Sequence, residues 1–120
     1  MAWRFNDHEA MFIQIADRIR AEILGGGYQP GQQIPPVRQL ASEAAVNPNT
    51  MQKALALLEE QGLVHSCGTV GRFITSDTVV IDDAREQMRR SVIHKWVTQA
   101  RELGISTEEL IQYIQKEAEL

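Results

Sequence analysis

The sequence predicts a mainly α protein with a small β-hairpin: a winged helix-turn-helix over residues 1–76, followed by a two-helix C-terminal dimerisation element over residues 77–120. Three observations carry this expectation. Apolar residues recur every three or four positions in several separate stretches, the period of amphipathic helices. Asn47-Pro48, a helix-start pair, follows a short helical stretch after only a brief turn. Two short β-favouring runs then flank a glycine-containing turn.

In the first helix, over 11–24, Phe12, Ile15, Ile19 and Ile23 share one stripe, with Asp17, Arg18, Arg20 and Glu22 elsewhere. Gly25-Gly26-Gly27 ends it, because residues free to take positive φ cap a helix, and Tyr28-Gln29-Pro30-Gly31 continues as a turn. Ile34 precedes a proline and is therefore extended, and Pro35-Pro36 opens the second helix with φ already set. Val37, Leu40, Ala41 and Ala44 form its buried face. Val46 lies between helices, Asn47 caps the third helix as acceptor, and Pro48 takes its first position. Met51, Ala54, Leu55 and Leu58 face inward; Asn49, Gln52, Lys53 and Ala56 face out; Gly62 closes the helix. Leu63–Ser66 and Arg72–Thr75 then pair as a hairpin around Gly68-Thr69-Val70-Gly71. Two helices joined by a tight turn and followed by a hairpin make a winged helix, with the first helix completing its core.

Beyond Ser76-Asp77, Ile81, Ala84, Met88, Val92, Trp96, Ala100 and Leu103 step along one long helix that stops at Gly104. From Thr78 to Leu103 such a helix spans about 39 Å, too long for a core this small to cover. Ser106-Thr107-Glu108-Glu109 is a capping box, flanked by Ile105 and Leu110 as a hydrophobic staple, and starts a last helix carrying Leu110, Ile111, Ile114 and Ala118. A helical pair with apolar stripes and no sheet cannot bury both faces alone, so Ile81, Ala84, Met88, Val92, Trp96, Leu110 and Ile114 are the expected homodimer contacts.

Composition narrows the function. The chain has 120 residues, 43% hydrophobic and 23% charged, with one cysteine and a net charge of −4. That length suits one domain with a small appendage, the balance supports a folded core, and a single cysteine closes no intramolecular disulfide. No signal-peptide pattern and no apolar run of about eighteen residues are present, so a cytoplasmic location and no membrane partner are expected. Acidity leans towards the tail: up to Ser76 there are six Lys/Arg against seven Asp/Glu, and beyond it six against nine. No nucleophile with a matched base, no phosphate-cradling glycine loop and no paired carboxylates suggest catalysis, so the chain is not expected to be an enzyme and no cofactor is called for. His8, His65, His94 and Cys67 lack metal-ligand spacing. Met88, Val92 and Trp96, at helical spacing, are read as packing, and a small-molecule effector enters only as a partner of open identity.

The run Phe12-Ile13-Gln14-Ile15-Ala16-Asp17, the turn Tyr28-Gln29-Pro30-Gly31, then Ile34-Pro35-Pro36-Val37-Arg38-Gln39-Leu40-Ala41, Val46-Asn47-Pro48-Asn49-Thr50 and Leu58-Glu59-Glu60-Gln61-Gly62-Leu63-Val64 resemble the GntR family of bacterial transcription regulators. The short two-helix tail resembles the YtrA-type subfamily, in which a small helical dimerisation element replaces a large effector domain. The resemblance implies a homodimeric regulator, usually a repressor, that places its third helices in successive major grooves of an inverted repeat in double-stranded DNA, near a transporter operon. It implies DNA contact by Arg38 from the second helix, by Asn47, Asn49, Thr50 and Gln52 at the start of the third, and by Gly68 and Thr69 at the wing tip. Chemistry agrees: a helix N-terminus attracts phosphate, and Asn and Gln can bond adenine bidentately. Lys53 and Arg72 add cations to this face.

Three departures from the family pattern stand out. Pro36 replaces a serine that would cap the second helix and touch phosphate; the wing lacks arginines near Cys67 and Gly68; and Asn, Thr and Gln occupy recognition positions where some members carry arginine. Fewer cations predict a shallow salt dependence of affinity. Bland alternatives remain at this point: Arg38 solvated or paired with Glu43, Asn47 as a cap alone, and Asn49, Thr50 and Gln52 as a plain polar face. The rival functions are a winged-helix protein-interaction module and a nonspecific DNA-binding protein.

Overall fold

The computed structural model describes residues 3–119. In chain order the elements are α1 (Met11–Leu24), α2 (Val37–Ala44), α3 (Pro48–Glu60), β1 (Val64–Cys67), β2 (Gly71–Ile74), α4 (Thr78–Glu102) and α5 (Thr107–Ala118). This is the mainly helical chain with one antiparallel hairpin that the sequence predicts. It divides into two compact units, the first ending at Ala84 and the second beginning at Arg85.

The core of the first unit is built from the inward stripes. Ile15, Ile19 and Ile23 of α1 and Leu40, Ala41 and Ala44 of α2 are buried with Met51, Ala54, Leu55 and Leu58 of α3, which packs on both helices, and with Ile34, Leu63, Val64 and Ile74. Each fully buried Ile or Leu contributes roughly 1.5–3 kcal/mol. Phe12, on the same α1 stripe, is only half-buried, while Ala16 and Leu24 bury as well.

Several local details differ from the sequence expectation. Of the three glycines after α1, Gly25 stays right-handed at φ −85, and Gly26 makes the reversal at φ +88. Pro36 does not sit inside α2; it is the N-cap residue at φ −58, ψ 153, with no side-chain acceptor, and its carbonyl accepts from the Leu40 N–H at 3.0 Å. The ring fixes φ at a helical value, but ψ remains extended, so the helix begins one residue later. The α2–α3 turn rests on Ala45, a non-glycine residue at φ 58, with Val46 N–H donating to the Ala41 carbonyl at 3.0 Å. That six-residue closure satisfies an orphan carbonyl of α2. Asn47 caps α3 as expected, its side chain accepting from the Asn49 N–H at 2.7 Å.

The hairpin keeps the expected pairing, but both strands sit one residue nearer the tip. Cys67 pairs with Gly71, Ser66 with Arg72, His65 with Phe73 and Val64 with Ile74, leaving the three-residue tip Gly68-Thr69-Val70. Leu63 and Thr75 fall just outside the strands. Gly71 has φ +138, and a Cβ there would lie 2.8 Å from the Gln33 amide nitrogen, which donates to the Val70 carbonyl at 3.0 Å. It is the positive φ, strained for any residue with a Cβ, that calls for glycine there. The extended piece around Ile34 proves to be a third strand in all but length: Gln33 bridges Phe73, Ile34 N–H donates to the Arg72 carbonyl at 3.0 Å, and Ile74 N–H donates to the Gln32 carbonyl at 2.8 Å.

In the second unit, Gly104 at φ +75 separates the two helices. Ser106 and Glu109 form the capping box, hydroxyl to backbone at 3.2 Å and carboxylate to backbone at 3.3 Å, beside half-buried Ile105 and Leu110. Along the expected stripe Ile81 and Ala100 are buried, and Ala84 and Met88 half-buried. Val92, Trp96, Leu103 and Ile114 remain 45%, 60%, 79% and 51% exposed.

Candidate nucleic-acid interface

The N-terminus of α3 is an exposed, polar, electropositive end. Asn47 uses its Oδ1 on the Asn49 N–H, and its backbone carbonyl accepts from the Thr50 N–H at 3.0 Å. The side chains of Asn47, Asn49 and Gln52 stand in solvent and that of Thr50 is half-buried. The α3 dipole places partial positive charge here, and amide side chains offer both donors and acceptors to base edges. Asn47 is therefore a cap whose amide nitrogen is still free of that duty.

The cations divide. Arg38, second residue of α2, is exposed and pairs with no carboxylate among the described residues; Glu43, its suspected partner, instead accepts from Gln39 at 3.2 Å. Lys53 lies with its Nζ 5.1 Å from the centre of the Phe12 ring, a cation–π contact back onto α1. Arg72 is not at the wing tip but at its base: its Nε is 2.6 Å from Glu59 Oε1, its side chain is 17% exposed, and its Nη1 reaches Gln52 Oε1 at 3.4 Å. Arg18 and Arg20 also serve the fold, the first over the Trp3 ring at 4.5 Å and the second on Asp17 at 2.7 Å. The first unit thus turns most of its basic side chains onto itself.

The wing tip carries Gly68, Thr69 and Val70, all exposed, and no cation. His65 stacks on Phe73 at 6.0 Å, and Cys67 is exposed at the end of β1. Sequence reasoning missed Glu59 and Ser66, which join Arg72 in one network: the Ser66 hydroxyl donates to Glu59 Oε1 at 2.7 Å. The Ser66 hydrogen bond first, and Arg72 second, hold the Glu59 carboxyl below the usual range. The available clue was the hairpin register, which sets Ser66 opposite Arg72 once Cys67 is paired with Gly71. Of the expected dimer contacts, Ile81 and Ala84 lie in the first unit, and Met88, Val92, Trp96, Leu110 and Ile114 in the second. Among the described residues no helix is long and apolar enough to cross a membrane.

Comparison with known proteins bears on this surface. The profile of the family described as "Bacterial regulatory proteins, gntR family" matches residues 13–74. The chain is 32% identical to the uncharacterized HTH-type transcriptional regulator YhcF of Bacillus subtilis, covering 92% of both chains. It is 26% identical to the HTH-type transcriptional repressor YtrA of the same organism, over 88% of this chain and 82% of that one. Among solved structures, a GntR family transcriptional regulator from Listeria monocytogenes superposes with a TM-score of 0.88 at 30% identity, covering 93% of this chain and 98% of its own. The DNA-binding domain of AraR in complex with operator ORX1 superposes at 0.54 and 26% identity, covering 62% of this chain and 92% of that one.

Proposed function

Because the chain belongs to the gntR family of bacterial regulatory proteins and is a transcriptional regulator of that family, we propose that it is a cytoplasmic, YtrA-type repressor. It binds an inverted-repeat operator as a homodimer. The observation that carries this reading is the N-terminus of α3: a capped, exposed helix end presenting Asn49, Thr50 and Gln52 beside a winged hairpin, with Arg38 free to meet phosphate. The operator complex of AraR, a protein sharing this part of the fold, supports DNA as the partner. Residues 1–76 act as the DNA-binding domain and 77–120 as the dimerisation tail, whose exposed Val92, Trp96 and Ile114 suit a second copy. Base contacts come from Asn47, Asn49, Thr50, Gln52 and the tip residues Gly68 and Thr69; Arg38 supplies the main phosphate contact and Lys53 a lesser one, and Arg72 joins this face through Gln52.

Selection of bound fragments from a random duplex library at physiological salt tests this. The expected product is a palindrome with half-sites about one helical turn apart. Replacing Arg38 and Lys53 together by Ala is expected to abolish operator affinity with dimerisation intact. Recovery of no sequence by folded protein would point to a protein partner, and binding that competitor DNA removes at every site would mark a nonspecific binder. With one unpaired cation per α2, the slope of log affinity against log salt should be shallow, near −0.9 per phosphate neutralised.

A further inference from the structure

Gln52 stands on the exposed face of α3, and its Oε1 lies 3.4 Å from Arg72 Nη1. The arginine is itself anchored: Glu59 Oε1 accepts from its Nε at 2.6 Å and from the Ser66 hydroxyl at 2.7 Å. A guanidinium carries donors and no acceptor. Only the oxygen end of the Gln52 amide can face it, so chemistry alone fixes which end of the amide points outward. The NH2 group is the end turned away from Arg72.

We propose that Arg72 is a positioning residue that gives Gln52 a fixed polarity, so that Gln52 reads its base as a hydrogen-bond donor and selects guanine where a free glutamine would select adenine. This deepens the reading of α3 as the DNA-reading helix and rests on it. An unconstrained glutamine bonds adenine twice, accepting from N6 and donating to N7. With its oxygen engaged, Gln52 leaves the adenine amino group without an acceptor. Guanine presents N7 and O6, both acceptors, to the outward NH2; thymine presents one acceptor, and cytosine only a donor. Glu59 neutralises Arg72 and holds it at the base of the wing, which keeps the guanidinium on Gln52 instead of on a phosphate.

Duplex selection with the full chain tests this, using wild type, Gln52→Ala, Gln52→Glu, Arg72→Met and the double variant Glu59→Gln/Arg72→Met, each checked for folding by circular dichroism. Gln52→Ala flattens one position in each half-site and so locates the base that Gln52 reads. There the wild type is expected to prefer guanine by roughly tenfold. Arg72→Met is expected to move the preference to adenine, with every other position unchanged. The double variant should do the same without leaving an unpaired carboxylate, and it decides the matter if the single variant misfolds. Gln52→Glu, an acceptor facing the base with Arg72 left in place, is expected to move the preference to cytosine. If Arg72 served only to brace the wing, its loss would weaken all positions alike and leave the preferred base as it was, which overturns the proposal. A wild-type preference for adenine at that position, or a Gln52→Ala profile identical to wild type, overturns it too while leaving the DNA reading intact. A wild type that selects no sequence removes both.

Discussion

Up to Ala84 and from Arg85 onward, the chain writes the same kind of apolar periodicity and folds it to different ends. Every buried apolar residue among those described lies in the first unit except Ala100. Seven of the ten exposed large apolar side chains lie in the second, from Val92 to Ile114. Three helices and a hairpin can enclose a core, whereas two helices leave each stripe half uncovered. The pattern in a sequence therefore states that a face is apolar and is silent about which chain covers it.

The largest effect that would sharpen this contrast is a pair of truncations. Leu55→Ala, at a fully buried site, is expected to destabilise the fold by about 2–5 kcal/mol. Trp96→Ala, at a site 60% exposed, should leave a dilute sample almost as stable as wild type but lower its tendency to associate. Thermal melts at several protein concentrations and sedimentation velocity read the two effects; a wild-type Tm that does not rise with concentration would break the comparison. Next in size is Ala45→Gly. A residue with a Cβ at φ 58 costs about 1–2 kcal/mol, and glycine, after its own entropic penalty, should stabilise the first unit by about 0.5–1 kcal/mol in a denaturant titration. The smallest concerns acid. Glu59 is held below its ordinary range by Ser66 and then Arg72, so its contribution is full above the ordinary carboxyl range and is lost as pH falls through the lowered folded value. Glu59→Gln should be less stable than wild type at neutral pH, with the gap closing in acid; a gap that stays constant would show that the network adds nothing to the fold.

What was legible in the sequence was local. The α1, α2 and α3 stripes, the Asn47 cap and the Ser106 box each depend on residues within about two turns of one another, so spacing alone shows them. What was not legible depends on chain segments brought together by folding. Gln33 reaches Phe73 across forty positions, and Glu59 meets Arg72 only once the hairpin has folded back beside α3. Lys53 and Arg72 stand on the expected face, yet nothing in their spacing announces that Phe12 and Glu59 engage them. Pro36 shows the limit at shortest range: its ring fixes φ, and ψ was left to the neighbours.

The bridge from Gln33 to Phe73 also governs which surfaces of this molecule invite unwanted company. A hairpin with a long bare edge is a template on which other chains add strands and aggregate. Here β2 already carries residues 32–34 along its outer side, and β1 is only four residues long. Strand-to-strand growth is blunted by the chain's own backbone, and the apolar surface left most open is the helical stripe through Val92, Trp96 and Ile114.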